Sequence, residues 1–177
     1  DIESFISKTI NLNNLIIVAG GDFDIKEFEE LLKPFLTTLE VGEKNEFEKI
    51  EFNSKNEEKT LIKDTQQAYI YFGSSFNIDS QDEENYKAKV ASFILGGSGF
   101  GSRLMEEIRV KRGLAYSAYG SISINKSHSY FNGYLQTKNE TADEAKKLVG
   151  EIIEEFVRNG VTNDELSAAK NFLTGSE

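Results

Sequence analysis

The chain has 177 residues, 38% of them hydrophobic, so it is long enough to enclose a core and falls within the size range of a single domain. Its formal net charge of −10 disfavours binding to nucleic acids and to anionic membrane surfaces. No apolar run approaches the roughly 20 residues of a membrane-spanning helix. With one histidine and no cysteine, the chain lacks the usual nitrogen and sulfur ligands of a zinc site, and we expect any metal chemistry to come from elsewhere.

The two ends of the sequence predict that it belongs to a longer polypeptide. It begins with Asp1 rather than methionine, and Ser176 and Glu177 directly follow a helical pattern. We therefore expect residues 1–177 to form a single domain excerpted from a longer protein.

The first part of the chain predicts one strand and one helix. The branched apolar run Leu15–Ala19, followed by glycines, is typical of a buried strand. Asp24, three residues before Glu27, forms a capping-box pattern that begins a helix. Pro34 should end or bend this helix, because its ring removes a backbone donor.

The middle of the chain predicts a connection and then a buried strand. A Glu-, Lys- and Asn-rich stretch over 40–59 predicts a solvated connection that divides the chain, with an edge strand near 50–52. Residues 68–72 are typical of a central strand buried on both faces. A capping-box pattern of Ser80 and Glu83 then predicts a helix that runs into a glycine-rich loop.

The remaining patterns predict a helix over 102–112, followed by a hairpin that pairs 114–124 with 129–137. Two further helices are predicted to begin at residues 141 and 162. Gly113 suits the left-handed position that ends the first of these helices. Thr141 with Glu144, and Thr162 with Glu165, form capping-box patterns for the last two. The complete order predicts an α+β fold, a mostly antiparallel sheet with helices packed on one face.

Two polar side chains at a helix-to-strand corner are the main candidates for a functional site. Arg109 lies near the end of its predicted helix and Tyr116 just beyond it, so both could project to the same corner. Two alternatives remain open from spacing alone. Arg109 could pair with Glu106 or Glu107, or bond a carbonyl at the helix end, and Tyr116 could be a core residue, because it shares strand parity with Ile122.

The glycine-rich loop does not fit a phosphate-binding motif. A GxGxxG pattern would need glycine at position 102 after Gly97 and Gly99, where serine stands, and the loop follows a helix rather than a strand. We expect a tight connection whose small residues leave room for another backbone. The single histidine, His128, has no second histidine or cysteine with which to share a metal and is expected at the surface.

The run ILGGSGFGSRLMEEIRVKRGLAYSAYG, residues 94–120, resembles the second homologous domain of the pitrilysin/insulinase-type zinc metallopeptidases, a group that includes mitochondrial processing peptidase. Residues 13–24 resemble the strand and turn that open this domain, and residues 160–172 resemble its closing helix pair. The resemblance covers nearly the whole chain and implies the metallohydrolase-like fold of that family.

The resemblance also implies a half-site. In this family a first domain binds zinc through HxxEH and a downstream glutamate, and the second supplies an arginine and a tyrosine with six residues between them, as Arg109 and Tyr116 have here. Both would bind the peptide substrate and stabilise the oxyanion during hydrolysis. By the same analogy, Gly97 and Gly99 would accommodate the substrate backbone.

Because HxxEH is missing from these residues, the chain is expected to be inactive alone and to bind no metal. The resemblance then implies a partner that carries HxxEH and the zinc, either another domain of the same polypeptide or a separate subunit. A second interpretation is a non-catalytic structural or peptide-binding subunit, similar to the core subunits of a respiratory complex. The presence of both Arg109 and Tyr116 favours the catalytic interpretation.

Overall fold

The computed structural model describes residues 1–52 and 55–175, which form two compact units, Asp1–Glu48 and Lys49–Glu177. The boundary between the units lies within the connection predicted over 40–59. Ser176 and Glu177, whose position suggested an excerpt, lie outside the described residues. Over the described ranges, no helix combines the length and the apolar character needed to cross a membrane.

The first unit contains two α-helices, α1 over Ile2–Thr9 and α2 over Ile25–Leu36. The predicted cap of α2 is confirmed, because the Asp24 carboxylate accepts hydrogen bonds from the backbone N–H groups of Lys26 and Glu27. Pro34 lies inside α2, and the helix continues two residues past it. The helix therefore does not end at Pro34 but at Leu36, in the same final turn.

The strand predicted over Leu15–Ala19 is wrong. This segment has no strand pairing, and Ile16 and Val18 are 83% and 89% exposed. A strand needs a neighbouring strand to take up its backbone hydrogen bonds, and the first unit, in which every residue is described, contains no strand. The apolar run predicts burial, but it does not specify the partner that burial requires.

The second unit is built on a three-stranded antiparallel sheet of β1 (Gln67–Ser75), β2 (Ala115–Ile124) and β3 (Ser129–Lys138) among the described residues, in the spatial order β1-β3-β2. The predicted hairpin of β2 and β3 is confirmed. The edge strand predicted near 50–52 is not formed, and the Ile50 N–H instead donates to the Ser127 carbonyl over 3.0 Å.

The prediction of a central strand buried on both faces is wrong for β1. This strand lies at the edge of the sheet, and its burial alternates along the chain. Ile70 and Phe72 pack against the core, whereas Tyr69 and Tyr71 are 53% and 76% exposed. A tyrosine ring can cover the sheet while its hydroxyl stays in water, so aromatic composition alone does not distinguish one buried face from two.

Helices flank the sheet in the order α3 (Asn85–Ser92), α4 (Arg103–Met105), α5 (Ala142–Asn159) and α6 (Asn163–Gly175). Two of them continue as π-helical turns, α3 over Phe93–Gly97 and α4 over Glu106–Val110. A 3₁₀ turn over Gly99–Gly101 connects these two segments. The glycine loop is therefore shorter than the sequence suggested, because the helix before it includes Gly97.

Only one of the three capping boxes predicted for the second unit forms as expected. The Thr162 hydroxyl and the Glu165 carboxylate exchange hydrogen bonds with each other's backbone N–H groups. Thr141 makes no such cap, since its hydroxyl bonds the hydroxyl of Thr137 over 2.7 Å. The helix predicted from Ser80 begins later, at Asn85, without a side-chain cap among the described residues.

The core of the second unit lies between the helices and one face of the sheet. Its buried residues come from both layers and include Leu95, Leu104, Ile108, Ala118, Phe131, Leu135, Leu148, Val149 and Ile152. Leu104, Ile108 and Leu135 have no exposed surface. This arrangement confirms the predicted α+β fold, and it directs the residues that follow α4 toward the start of β2.

Candidate functional site

Arg109 lies in the π-helical turn that follows α4. The segment begins at Ser102, whose hydroxyl accepts a hydrogen bond from the Met105 N–H over 3.4 Å. It then widens, because the Lys111 N–H donates to the Glu106 carbonyl, five residues back, over 2.9 Å. Such a turn accommodates one residue more than an α-helical turn and changes the direction of the side chains that it carries.

Tyr116 lies in a β-bulge at the start of β2. Ala115 pairs with Thr137 and Ala118 with Leu135, so three steps along β2 match two steps along β3. The extra residue reverses the alternation of the strand. Ala115 and Ala118 are 8% and 2% exposed, whereas Tyr116 is 80% exposed. The Tyr116 ring therefore lies outside the core, and the alternative of a core tyrosine, which was based on strand parity, is wrong.

The side chains of Arg109 and Tyr116 are in contact. The Cζ atom of Arg109 lies 4.5 Å from the centroid of the Tyr116 ring and also 4.5 Å from the centroid of the Phe100 ring. The spacing in the sequence predicts the proximity of Arg109 and Tyr116, but it does not predict the contact with Phe100. The one available signal was an aromatic residue between Gly99 and Gly101, where the pattern otherwise consists of small residues.

The polar groups of the pair have no partner within the described part of the chain, since neither the Arg109 guanidinium nor the Tyr116 hydroxyl makes a hydrogen bond or an ion pair there. Glu107, one of the partners considered for Arg109, instead accepts hydrogen bonds from Lys111 and Arg112, each over 2.6 Å. These two bonds, the one from Lys111 first, lower the pKa of Glu107. The donors of Arg109 and Tyr116 are thus available to an external oxygen acceptor, such as a carbonyl, an oxyanion or a carboxylate.

The glycines before the site have separate structural roles. A Cβ atom on Gly96 would lie 2.5 Å from the backbone nitrogen of Gly120, so the close backbone approach expected of this loop occurs there. Gly99 has a φ of +64°, a conformation that favours glycine, and a Cβ on it would meet no atom within 4 Å. Gly97 is exposed, at the end of its π-helical turn. A role of Gly97 and Gly99 in substrate binding stays a prediction.

Zinc does not fit the residues of this corner. A guanidinium and a phenol are not a metal-ligand set, and nowhere in residues 1–52 and 55–175 do three His, Cys, Asp or Glu side chains group to hold a metal ion. His128, expected at the surface, is half-buried. Its ring stacks on Tyr130, contacts Phe52 edge-on and bonds the Ser127 hydroxyl.

Sequence comparison relates the chain to known proteins over its whole length. The family model described as the peptidase M16 inactive domain matches residues 1–173. The chain is 44% identical over 177 residues to a Helicobacter pylori protein named Non-peptidase homolog YmxG. It is 27% identical over 164 residues to a Bacillus subtilis protein named Uncharacterized zinc protease YmxG. These two matches include 100% and 93% of this chain but only 41% and 39% of the relatives.

The fold agrees with that relationship. The structure matches a crystal structure of a peptidase M16 inactive domain from Pseudomonas fluorescens with a TM-score of 0.84 and 29% sequence identity. The match covers 99% of this chain and 42% of the other. Together with the family match over 1–173, these similarities confirm the resemblance seen in residues 94–120, and the chain belongs to the peptidase M16 family, in which it corresponds to the inactive domain.

Proposed function

We propose that this chain is the non-zinc half-site of a metalloendopeptidase, in which Arg109 and Tyr116 bind the carbonyl of a peptide substrate and stabilise its oxyanion. One observation carries the proposal. The Arg109 guanidinium packs on the rings of Phe100 and Tyr116, and neither the guanidinium nor the exposed Tyr116 hydroxyl has a hydrogen-bond or ion-pair partner among the described residues. The zinc, and the water that it activates for hydrolysis, belong in this proposal to another domain or subunit that carries HxxEH.

The chemistry of the two side chains suits a developing negative charge. Hydrolysis of a peptide bond passes through a tetrahedral species whose oxygen is anionic. Arg109 supplies a fixed positive charge together with N–H donors, and Tyr116 supplies a directed O–H donor. The neutral Tyr116 hydroxyl forms a hydrogen bond to an ionised acceptor that is roughly twice as strong as one to a neutral acceptor. The Arg109 guanidinium gains the attraction between opposite charges when the oxyanion forms, so both donors bind the oxyanion more tightly than the carbonyl. One well-placed donor typically lowers the barrier by about 3 kcal/mol.

A second function, peptide binding without hydrolysis, is favoured by the name of the 44% identical Helicobacter pylori relative, a non-peptidase homolog. The same two donors would then hold a peptide carbonyl, and the chain would act as a peptide-binding domain of its parent protein. The two functions share Arg109 and Tyr116. They differ in whether the bound peptide is cleaved.

Arg109→Ala and Tyr116→Phe in the full-length protein test the site. A randomised decapeptide library supplies the tightest-binding peptide, which is labelled with fluorescein for anisotropy titrations and followed by mass spectrometry for cleavage. We expect Arg109→Ala to weaken binding about tenfold or more, and Tyr116→Phe about threefold to tenfold, the usual effect of losing a charged and a neutral hydrogen bond. If the peptide is cleaved, kcat should fall about tenfold or more while the zinc content stays unchanged.

Two control variants remove the same chemical groups at other positions. Arg112→Ala removes a positive charge near the same helix end, and Tyr86→Phe removes the hydroxyl of another exposed tyrosine. Both should bind the peptide within about twofold of wild type. Cleavage by the wild-type protein would support the peptidase function, and tight binding without cleavage would support the second function. If Arg109→Ala and Tyr116→Phe bind and cleave like wild type, or no peptide binds, both functions are wrong.

A further inference from the structure

An exposed phenylalanine lies against the arginine of the candidate site. The Phe100 side chain is 65% exposed, and its ring centroid is 4.5 Å from the Cζ atom of Arg109. Exposure alone does not distinguish this ring, since Phe5 and Phe172 are 68% and 60% exposed. What calls for an explanation is its contact with the guanidinium of Arg109, because a cation over an aromatic ring is attracted to it.

The turn that carries Phe100 is fixed at its base. The carbonyl of Gly99 accepts hydrogen bonds from the Ser102 hydroxyl over 2.8 Å and from the Ser102 N–H over 3.0 Å. Ser102 itself is completely buried. Gly99 supplies the positive φ that the turn requires. Phe100 is thus held over the helix end by its neighbours, although its own ring is exposed.

We propose that Phe100 is a positioning residue, whose ring holds the guanidinium of Arg109 against Tyr116 and so fixes the direction of its N–H donors. Stacking on a ring uses the face of the guanidinium and leaves the donors at its edge free. An arginine side chain has several rotatable bonds, and restricting them before the ligand arrives reduces the entropy lost on binding. The glycine loop would then act on the ligand through Phe100 and Arg109.

For its effect on binding, this inference rests on the proposed function. Four variants of Phe100, each made in the full-length protein and titrated with the library-selected peptide, separate the contributions of the ring. Phe100→Ala and Phe100→Leu lack an aromatic face, and we expect affinity to fall about threefold to tenfold in both. Phe100→Tyr and Phe100→Trp retain the face and should bind within about twofold of wild type. Wild-type affinity in Phe100→Leu would show that only apolar bulk matters and would overturn the proposal.

A double-mutant cycle separates positioning from direct contact with the peptide. If Phe100 acts through Arg109, adding Phe100→Ala to Arg109→Ala should change affinity by less than about twofold. A loss as large as that in the wild-type background would mean that the ring contacts the peptide itself. That result would also overturn the proposal.

A spectroscopic measurement tests the positioning independently of binding. In protein labelled with ¹⁵N-arginine, the Arg109 Nε–H signal, assigned by its absence in Arg109→Lys, should shift between wild type and Phe100→Ala because the ring current is lost. An unchanged signal would contradict positioning. If Arg109→Ala binds the peptide normally, the proposed function fails, and this signal still decides whether Phe100 holds the arginine.

Discussion

Two arginines of one helical segment differ in their bonding. Arg103 is 14% exposed in its side chain and donates to the carboxylates of Glu165 and Glu155 and to the carbonyl of Gly160. The Arg109 guanidinium lies against two aromatic rings and makes no hydrogen bond or ion pair within the described residues. The sequence gives no means of distinguishing them, because Arg103 finds its partners in residues more than fifty positions away. The ion pairs of Arg103 indicate a role in stability, whereas the unpaired donors of Arg109 are the basis of the proposal that it binds a ligand.

The Arg103 cluster predicts a loss of stability in acid. The hydrogen bond from Arg103 is the main reason why the pKa of Glu165 is lowered from 4.5 to about 2. Since the folded-state pKa lies below the unfolded value, the ionised carboxylate stabilises the fold above about pH 4.5, and this stabilisation is lost as the pH falls toward about 2. We expect Glu165→Gln to reduce the free energy of unfolding at pH 7 by about 2 kcal/mol, allowing for partial exposure of the carboxylate.

Urea unfolding of the full-length protein at several values between pH 7 and pH 3 measures this effect. The difference between wild type and Glu165→Gln should shrink as the pH falls. Asp143→Asn, which changes an acidic residue exposed near the start of α5, is the matched control and should show no comparable trend. A constant difference between wild type and Glu165→Gln at every pH would contradict the account of Arg103.

At the scale of elements, the site depends on two irregularities that periodic patterns do not reveal. The π-helical turn over Glu106–Val110 directs Arg109, and the bulge between Ala115 and Ala118 turns Tyr116 outward. Strand parity, which assumes an unbroken alternation, left Tyr116 as a possible core residue beside Ile122. The proximity of the pair could be predicted from the sequence, but the outward direction of the phenol could not.

Other elements were predictable to the extent that local residues determine them. The hairpin of β2 and β3, the helix α5 and the cap of α2 follow from short-range patterns, and all are confirmed. The predictions for Leu15–Ala19 and for β1 are wrong because the pairing of a strand and its position in the sheet depend on distant parts of the chain. Local composition predicts a tendency toward burial, and tertiary packing decides whether that burial occurs.

Two glycine-to-alanine substitutions are expected to have opposite effects on stability, because only one of the two glycines lies close to β2. On Gly96, a Cβ would lie 2.5 to 2.8 Å from backbone atoms of Gly120, which cannot easily move, so Gly96→Ala should destabilise the protein by about 2 kcal/mol or more. Gly150 is exposed within α5 with nothing within 4 Å of such a Cβ, so Gly150→Ala should stabilise by about 0.5 to 1 kcal/mol. Urea midpoints of both variants test this, and a Gly96→Ala protein as stable as wild type would exclude the close approach.

For the whole molecule, family membership could be predicted because the motif over 94–120 is long and specific, and the match over 1–173 confirms it. The chain spans about two fifths of the length of the curated relatives that it matches. The activity of the complete protein is therefore a proposal, built on the donors that this chain contributes. Phe100 shows what the family resemblance does not supply, since its role follows from a turn and a ring contact seen only in three dimensions.

The central claim is that Arg109 and Tyr116 donate hydrogen bonds to one carbonyl of a bound peptide. Isotope-edited infrared spectroscopy tests it directly, using the library-selected peptide synthesised with a single ¹³C carbonyl at each position in turn. With the full-length wild-type protein, we predict one position whose carbonyl stretch moves to lower wavenumber on binding. This shift should be reduced in Arg109→Ala and in Tyr116→Phe and lost in the double variant. A carbonyl stretch that is the same in wild type and the double variant at every labelled position would contradict the claim.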